Sequence, residues 1–184
     1  ERERAIKLRE EEMLQLQQLL KEKDDKISRL KSSVANALLG FKGEGLTVEE
    51  RDGKLYVSLE NSLLFPSGSW RVNDNGKKAI VELAKVLVQQ SDIQIMVEGH
   101  TDDVPYKGTG LIKDNWDLSV MRATAIVRIL SNNKGLKVNR ITAAGKGSHS
   151  PLVENNSSEN RAVNRRTEII SVSYTHLRAH ETID

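Results

Sequence analysis

Apolar residues near the start of the chain recur at every seventh place. Ile6, Met13, Leu20, Ile27 and Val34 share one heptad position, and Phe41 falls in the same register. The companion seam is poorer, with Arg9, Leu16, Lys23, Leu30 and Ala37. Residues 1–40 contain no proline and no glycine before Gly40, and they are rich in Glu, Lys, Arg, Gln and Leu. This pattern predicts a helix about 60 Å long whose apolar stripe seeks a partner helix. A lone charged helix held by i,i+4 pairs such as Glu22–Lys26 is the competing arrangement. Its stripe would face water, so the pattern favours a self-associating stalk.

Gly40, Gly43 and Gly45 interrupt the helix, and residues 41–45 read as a hinge. Beyond it the period changes. Leu46 and Val48 lead into Arg51-Asp52-Gly53, a hairpin-turn signal, and Leu55, Val57 and Leu59 then alternate with polar residues. Asn73 or Asp74 caps a helix whose inner face is Ile80, Leu83, Ala84 and Leu87. Ile93 to Val97 reads as a strand buried on both faces. A second helix is expected from about Trp116 to Leu130, and a short strand from Ile141 to Ala144. A Ser-, Asn- and Gly-rich loop follows over 146–160, then a last strand from about Thr167 to Ser173. The order is that of an α/β fold, a βαβαβ sandwich in which helices cover one side of a mixed sheet. Residues 46–172 form this domain, preceded by the long α-helix.

Residues 173–184 carry no apolar period. Ser-Tyr-Thr-His-Leu-Arg-Ala-His-Glu-Thr resembles translated sequencing-adapter read-through, so the tail is set aside as non-native. His176 and His180 stand four apart, yet no third ligand lies near them in sequence, and their spacing reads as accidental.

Composition narrows the function classes. The chain has 28 Lys+Arg against 26 Asp+Glu, a net charge of +2, and shows no dominant basic stripe of the kind that duplex nucleic acid requires. Its 184 residues contain no cysteine, which excludes disulfides, Cys-ligated metals and a thiol nucleophile. Aromatics are 4%, so the core must be aliphatic. No apolar run approaches the roughly 20 residues that span a bilayer. The chain opens on Glu1, which reads as a fragment whose export signal or anchor would lie upstream.

One constellation carries chemistry. Gly99-His100-Thr101-Asp102 follows a buried strand, where open α/β sheets place their ligands. After the loop from Asp103 to Lys113, Asp114-Asn115-Trp116-Asp117 opens a helix on which Asn115, Ser119 and Arg122 share a face. Arg122, leaning back toward the free N–H groups of that helix start, suits a carboxylate, and Asp102 alongside suits an ammonium. Spacing alone equally allows a plain Asp102–Arg122 salt bridge tying strand to helix. His100 adjoins the site without a Ser or Asp partner and reads as structural, as does His149 in its loop. Trp116 reads as a packing staple. Asp102 and Asp103 point to opposite sides, so they make no acid/base pair, and nothing supports glycosidase chemistry.

These motifs, with Gly145-Lys146-Gly147, Pro151 and Asn160 to Glu168 following in order, resemble the OmpA-like peptidoglycan-binding domain. Gly-His-Thr-Asp-Asp-Val-Pro and Asn-Trp-Asp-Leu-Ser are similar to the branch that holds flagellar stator proteins. The resemblance implies non-covalent binding of the peptidoglycan stem peptide through meso-diaminopimelate, without catalysis or cofactor. It implies that Asp102 and Arg122 clasp the ammonium and carboxylate, that Thr101, Asn115 and Leu118 line the pocket, and that Arg165 stands near it. Asn164 and Arg166 would hold the last turn and strand. The implied location is the periplasm, with anchoring of an envelope protein as the task and homo-oligomerisation through residues 1–40. A stator component of a proton-driven motor, or a scaffold working mainly through its coiled coil, is the alternative.

Overall fold

A computed structural model describes residues 2–173 apart from residue 109, so His176 and His180 lie outside the described residues. Helix α1 spans Arg2–Ala37. Its heptad stripe divides in two. Ile27, Leu30 and Val34 are buried, together with Leu38 just past the helix, whereas Ile6, Met13, Leu16 and Leu20 are exposed. The buried portion lies against the strands and the next long helix, and Leu30, Val34 and Leu38 belong to the main core. The core therefore reaches back across the expected division at residue 40.

Strands β1 (Leu46–Arg51) and β2 (Lys54–Glu60) form the hairpin. Asp52 and Gly53 both take positive φ, 51° and 67°, which gives the turn the twist that a two-residue hairpin requires. Next come α2 (Asn61–Leu64), α3 (Asp74–Val88), β3 (Ile93–Gly99) and α4 (Asn115–Ser131). The chain then passes through β4 (Ile141–Gly145), α5 (Ser158–Asn164) and β5 (Arg166–Ser173). The sheet order is β1-β2-β5-β3-β4, with β3 and β4 parallel and the other pairs antiparallel. This is the mixed α/β sheet that the pattern predicts.

Two differences from the expectation have physical causes. The run from Ile93 to Val97 is buried fully on one face only. Ile93, Ile95 and Val97 face the core, while Gln94, Met96 and Glu98 are half-buried on the side that the long helices leave uncovered. The segment read as loop over 146–160 runs into α5, whose residues SENRAVN have too little apolar periodicity to reveal a helix. Ser157 starts it, its hydroxyl accepting from Asn160 N at 3.1 Å. The start of α3 follows the same logic, with Asn73 Oδ1 accepting from Gly76 N at 2.7 Å.

The core is aliphatic, with Phe65 the one buried Phe, Tyr or Trp among the described residues. Burial of Leu, Ile and Val side chains at about 1.5–3 kcal/mol each is the main term holding helices to sheet.

Candidate functional site

Two glycines let the site form. Gly99 ends β3 and Gly145 ends β4, opposite one another in parallel register. A Cβ at Gly99 would strike the Ser119 backbone, and one at Gly145 would come within 2.5 Å of Ser119 Oγ and 2.6 Å of Val120 Cγ2. With glycine at both places, the first turns of α4 lie directly on the strand ends. Ser119 Oγ then donates to Trp116 O at 2.8 Å and accepts from Gly147 N at 3.1 Å. The segment leaving β3 is tied down as well: His100 N donates to Arg166 O at 2.9 Å and Thr101 N donates to Gly147 O at 2.8 Å.

A cavity of about 790 Å³ opens beside these strand ends. Thr101, Asp102, Asn115, Leu118, Arg122 and Arg165 all line it, together with Phe65 and Tyr106. Asp102 is buried, and its Oδ2 accepts from Arg165 Nη1 at 2.6 Å while Oδ1 accepts from Val104 N at 3.2 Å. Asn115 Nδ2 donates to Val104 O at 3.0 Å, holding the loop against α4. Arg122 is only 5% exposed. Its Nε donates to Ser69 O at 3.0 Å, and its guanidinium lies 5.2 Å from the centre of the Phe65 ring. No described residue accepts from its terminal amino groups. Burial pushes the Arg122 pKa down to about 10, Tyr106 and Asp102 oppose that shift, and Arg165 adds to it. The group stays charged at neutral pH while lacking a full counter-charge.

Several expectations are corrected here. Asp102 pairs with Arg165 and not with Arg122, so no simple strand-to-helix tie forms. The start of α4 is occupied by its own acids: Asp114 Oδ1 accepts from Asp117 N at 3.0 Å, and Asp117 Oδ2 accepts from Lys113 N at 2.8 Å. Arg122 turns instead to the loop before α3, where its Nε meets the Ser69 carbonyl. Trp116 is not a buried staple. It is 48% exposed and stacks on His149, ring centres 4.9 Å apart and planes 22° apart. Phe65, Ser69 and Tyr106 escaped the sequence reading: Phe65 and Ser69 lie in the Phe-Pro-Ser-Gly-Ser run after α2, distant in sequence, and Tyr106 lies in the loop after Asp102, which carries no period.

A second polar cluster occupies the other side of the β3 end. His100 is 2% exposed, with Nε2 3.2 Å from Glu98 Oε1 and 3.8 Å from Glu168 Oε2. It is aligned for a hydrogen bond with neither. Arg166 Nε and Arg51 Nη2 donate to Glu168 Oε1 at 3.0 and 3.2 Å, and Lys146 Nζ lies 3.9 Å from Glu98 Oε2. The Glu98 carboxyl is held below its ordinary value by His100 first, against the opposing effect of burial, with Lys146 and Arg166 adding to the depression. One ligand atom each from Glu98, His100 and Glu168 lies within 4.8 Å of the others, as a metal site would need. Two guanidiniums and an ammonium already outnumber the two carboxylates, so a further cation would meet net positive charge.

Comparison with known proteins places the chain in one family. Residues 64–165 match the OmpA family. Motility protein B of Bacillus subtilis is 32% identical over 116 residues, 63% of this chain and 44% of that protein. Among solved structures, a putative MotB like protein from Desulfovibrio vulgaris superposes with a TM-score of 0.76 at 26% identity, covering 84% of this chain and 99% of that one. The cell wall anchor of the T6SS from Pseudomonas aeruginosa gives a TM-score of 0.69 at 31% identity over 76% of this chain and 96% of that one. The chain spans about half the length of the curated relatives it matches.

Proposed function

The chain belongs to the OmpA family, and from that premise we propose that it binds peptidoglycan non-covalently through the diaminopimelate of the stem peptide. One observation carries this reading: a buried arginine with unused donors and a buried aspartate line the same cavity. Diaminopimelate ends in an ammonium and a carboxylate on one carbon. The carboxylate takes the terminal amino groups of Arg122, and the ammonium takes Asp102. Arg165 holds the Asp102 carboxylate aimed. Leu118 and Phe65 offer apolar wall to the methylene chain, while Thr101 and Asn115 fix the rim. Binding supplies a counter-charge to a largely buried cation, and each charge-assisted bond contributes about 1.5–3 kcal/mol.

The task that follows is reversible anchoring of an envelope protein to the wall, in the periplasm, by a binding module and not a catalyst. The exposed Ile6, Met13, Leu16 and Leu20 of α1 give a seam for pairing with a second copy. A stator role is the second reading, favoured by the likeness to Motility protein B and the MotB like structure. It needs a membrane-spanning helix, and among the described residues no helix is long and apolar enough to cross a membrane. Whether the protein carries a membrane-spanning helix separates the two.

Co-sedimentation with purified diaminopimelate-type sacculi tests the binding. The wild-type chain is expected in the pellet and released by free diaminopimelate, with Arg122→Ala staying in the supernatant. Equal retention of the folded variant would overturn the clamp.

A further inference from the structure

Two segments far apart in sequence meet across the mouth of the cavity. One is the run after α2, where Gly68 takes a left-handed conformation with φ 66°. The other is the loop from Asp103 to Lys113, which carries Tyr106. The Tyr106 hydroxyl donates to Gly68 O at 3.5 Å, and both residues line the cavity. That bond is long and weak. The ring behind it is well held. Val104 fixes the loop on one side, its amide donating to Asp102 Oδ1 at 3.2 Å and its carbonyl accepting from Asn115 Nδ2 at 3.0 Å. Buried Ile112 fixes it on the other. Between them the chain turns so tightly at Gly108 that a Cβ there would strike Tyr106 Cε1 and the Ile112 carbonyl. Glycine at this position lets the backbone support the ring edge. Ser69, next to Gly68, accepts from Arg122 Nε at 3.0 Å. Tyr106 also does more than Asp102 to oppose the effect of burial on Arg122. A half-buried phenol with a weakly engaged O–H therefore stands near a buried guanidinium with unused donors.

We propose that Tyr106 is a specificity-determining residue of the cavity, its hydroxyl exchanging the Gly68 carbonyl for the ligand carboxylate that Arg122 holds. This rests on the proposed binding of diaminopimelate in the cavity. The exchange replaces a long neutral hydrogen bond with a charge-assisted one, so it is favoured only when an anion is present. A phenolic O–H turns about its C–O bond at little cost, so the ring stays on Gly108 while the donor is redirected. The carboxylate has room for both partners. Its two oxygens offer about four lone-pair sites, and a bidentate guanidinium uses two of them. Lysine is diaminopimelate without that carboxylate. A lysine end offers no acceptor to either donor and leaves the buried Arg122 unpaired, so the cavity rejects it. Tyr106 thus adds to the charge of Arg122 a second, directional reading of the same group.

Calorimetry of the full chain with two probes tests this: the diaminopimelate tripeptide of the stem, and the same tripeptide with lysine in place of diaminopimelate, its weaker binding read by displacement. Tyr106→Phe keeps the ring and removes only the hydroxyl. It is expected to weaken the diaminopimelate probe by about three- to tenfold and to leave the lysine probe unchanged, with a melting temperature like that of wild type. Gly108→Ala, which pushes the ring edge aside, should lower the preference for diaminopimelate in the same direction. Undiminished diaminopimelate affinity in Tyr106→Phe, or an equal loss for both probes, overturns the role of Tyr106 and leaves the clamp standing. Failure of the wild type to bind the diaminopimelate probe overturns the peptide reading, and the role of Tyr106 with it.

Discussion

Two charged clusters flank the end of β3, built from the same kinds of side chain and finished differently. On the sheet face, Glu168 is held by Arg166 and Arg51, Glu98 lies near Lys146, and His100 stands between the carboxylates. In the cavity, Asp102 has Arg165, but Arg122 has only the Ser69 carbonyl and a ring face. In the first cluster both carboxylates already face cations of the chain, and it acts as a clasp. The second leaves a buried cation short of an anion, and that shortage is what a carboxylate ligand relieves.

The largest expected effect comes from breaking the clasp. Glu168→Ala strands Arg166, which is 4% exposed in its side chain, and should cost about 3–5 kcal/mol. In a chain of this size that lowers the melting temperature by roughly 10 °C. The molecules that remain folded should bind sacculi normally. Arg122→Ala should do the reverse. It removes an under-compensated buried charge, so melting should change little, while loss of two charge-assisted bonds weakens diaminopimelate binding by about a hundredfold or more. If both variants lost stability and binding together, the two clusters would be one unit and the distinction would fail. Arg165→Ala comes next, with binding weaker by about tenfold as Asp102 loses its orientation, and Arg165→Lys should recover part of it.

The sequence exposed the cavity better than the clasp. Asp102, Asn115 and Arg122 follow from a strand end and a helix face, because i, i+4 and i+7 positions keep a fixed relation wherever the helix lies, whereas Leu118 entered only through the family resemblance. The Asp102–Arg165 pair joins residues 63 apart, and the Arg122–Ser69 bond joins residues 53 apart. Such partners depend on how β5 and the loop before α3 pack, which no local period encodes. The split of the α1 stripe was hidden for a similar reason. The repeat alone does not separate the two halves of the helix: Leu20 and Ile27 hold the same heptad place, yet only Ile27 is buried. In contrast, the fold class was legible, since alternation in β2 and the apolar face of α3 are local signals.

The smallest effect sharpens the contrast through acid. Glu98 has a folded-state pKa below its ordinary value near 4.5, chiefly because of His100. The folded chain therefore takes up that proton less readily than the unfolded chain, so this contribution is complete above the ordinary value and drains as pH falls through the lower one. Melting temperature measured from about pH 6 down to pH 3 should fall in wild type. Glu98→Gln should start slightly lower near neutrality and decline less steeply, because the group that titrates is gone. Binding in the cavity should not share this difference, since Glu98 contacts neither Asp102 nor Arg122. A Glu98→Gln chain whose affinity for diaminopimelate changed in parallel with its acid stability would show that His100 transmits charge across the strand end, and the clasp would then be part of the site.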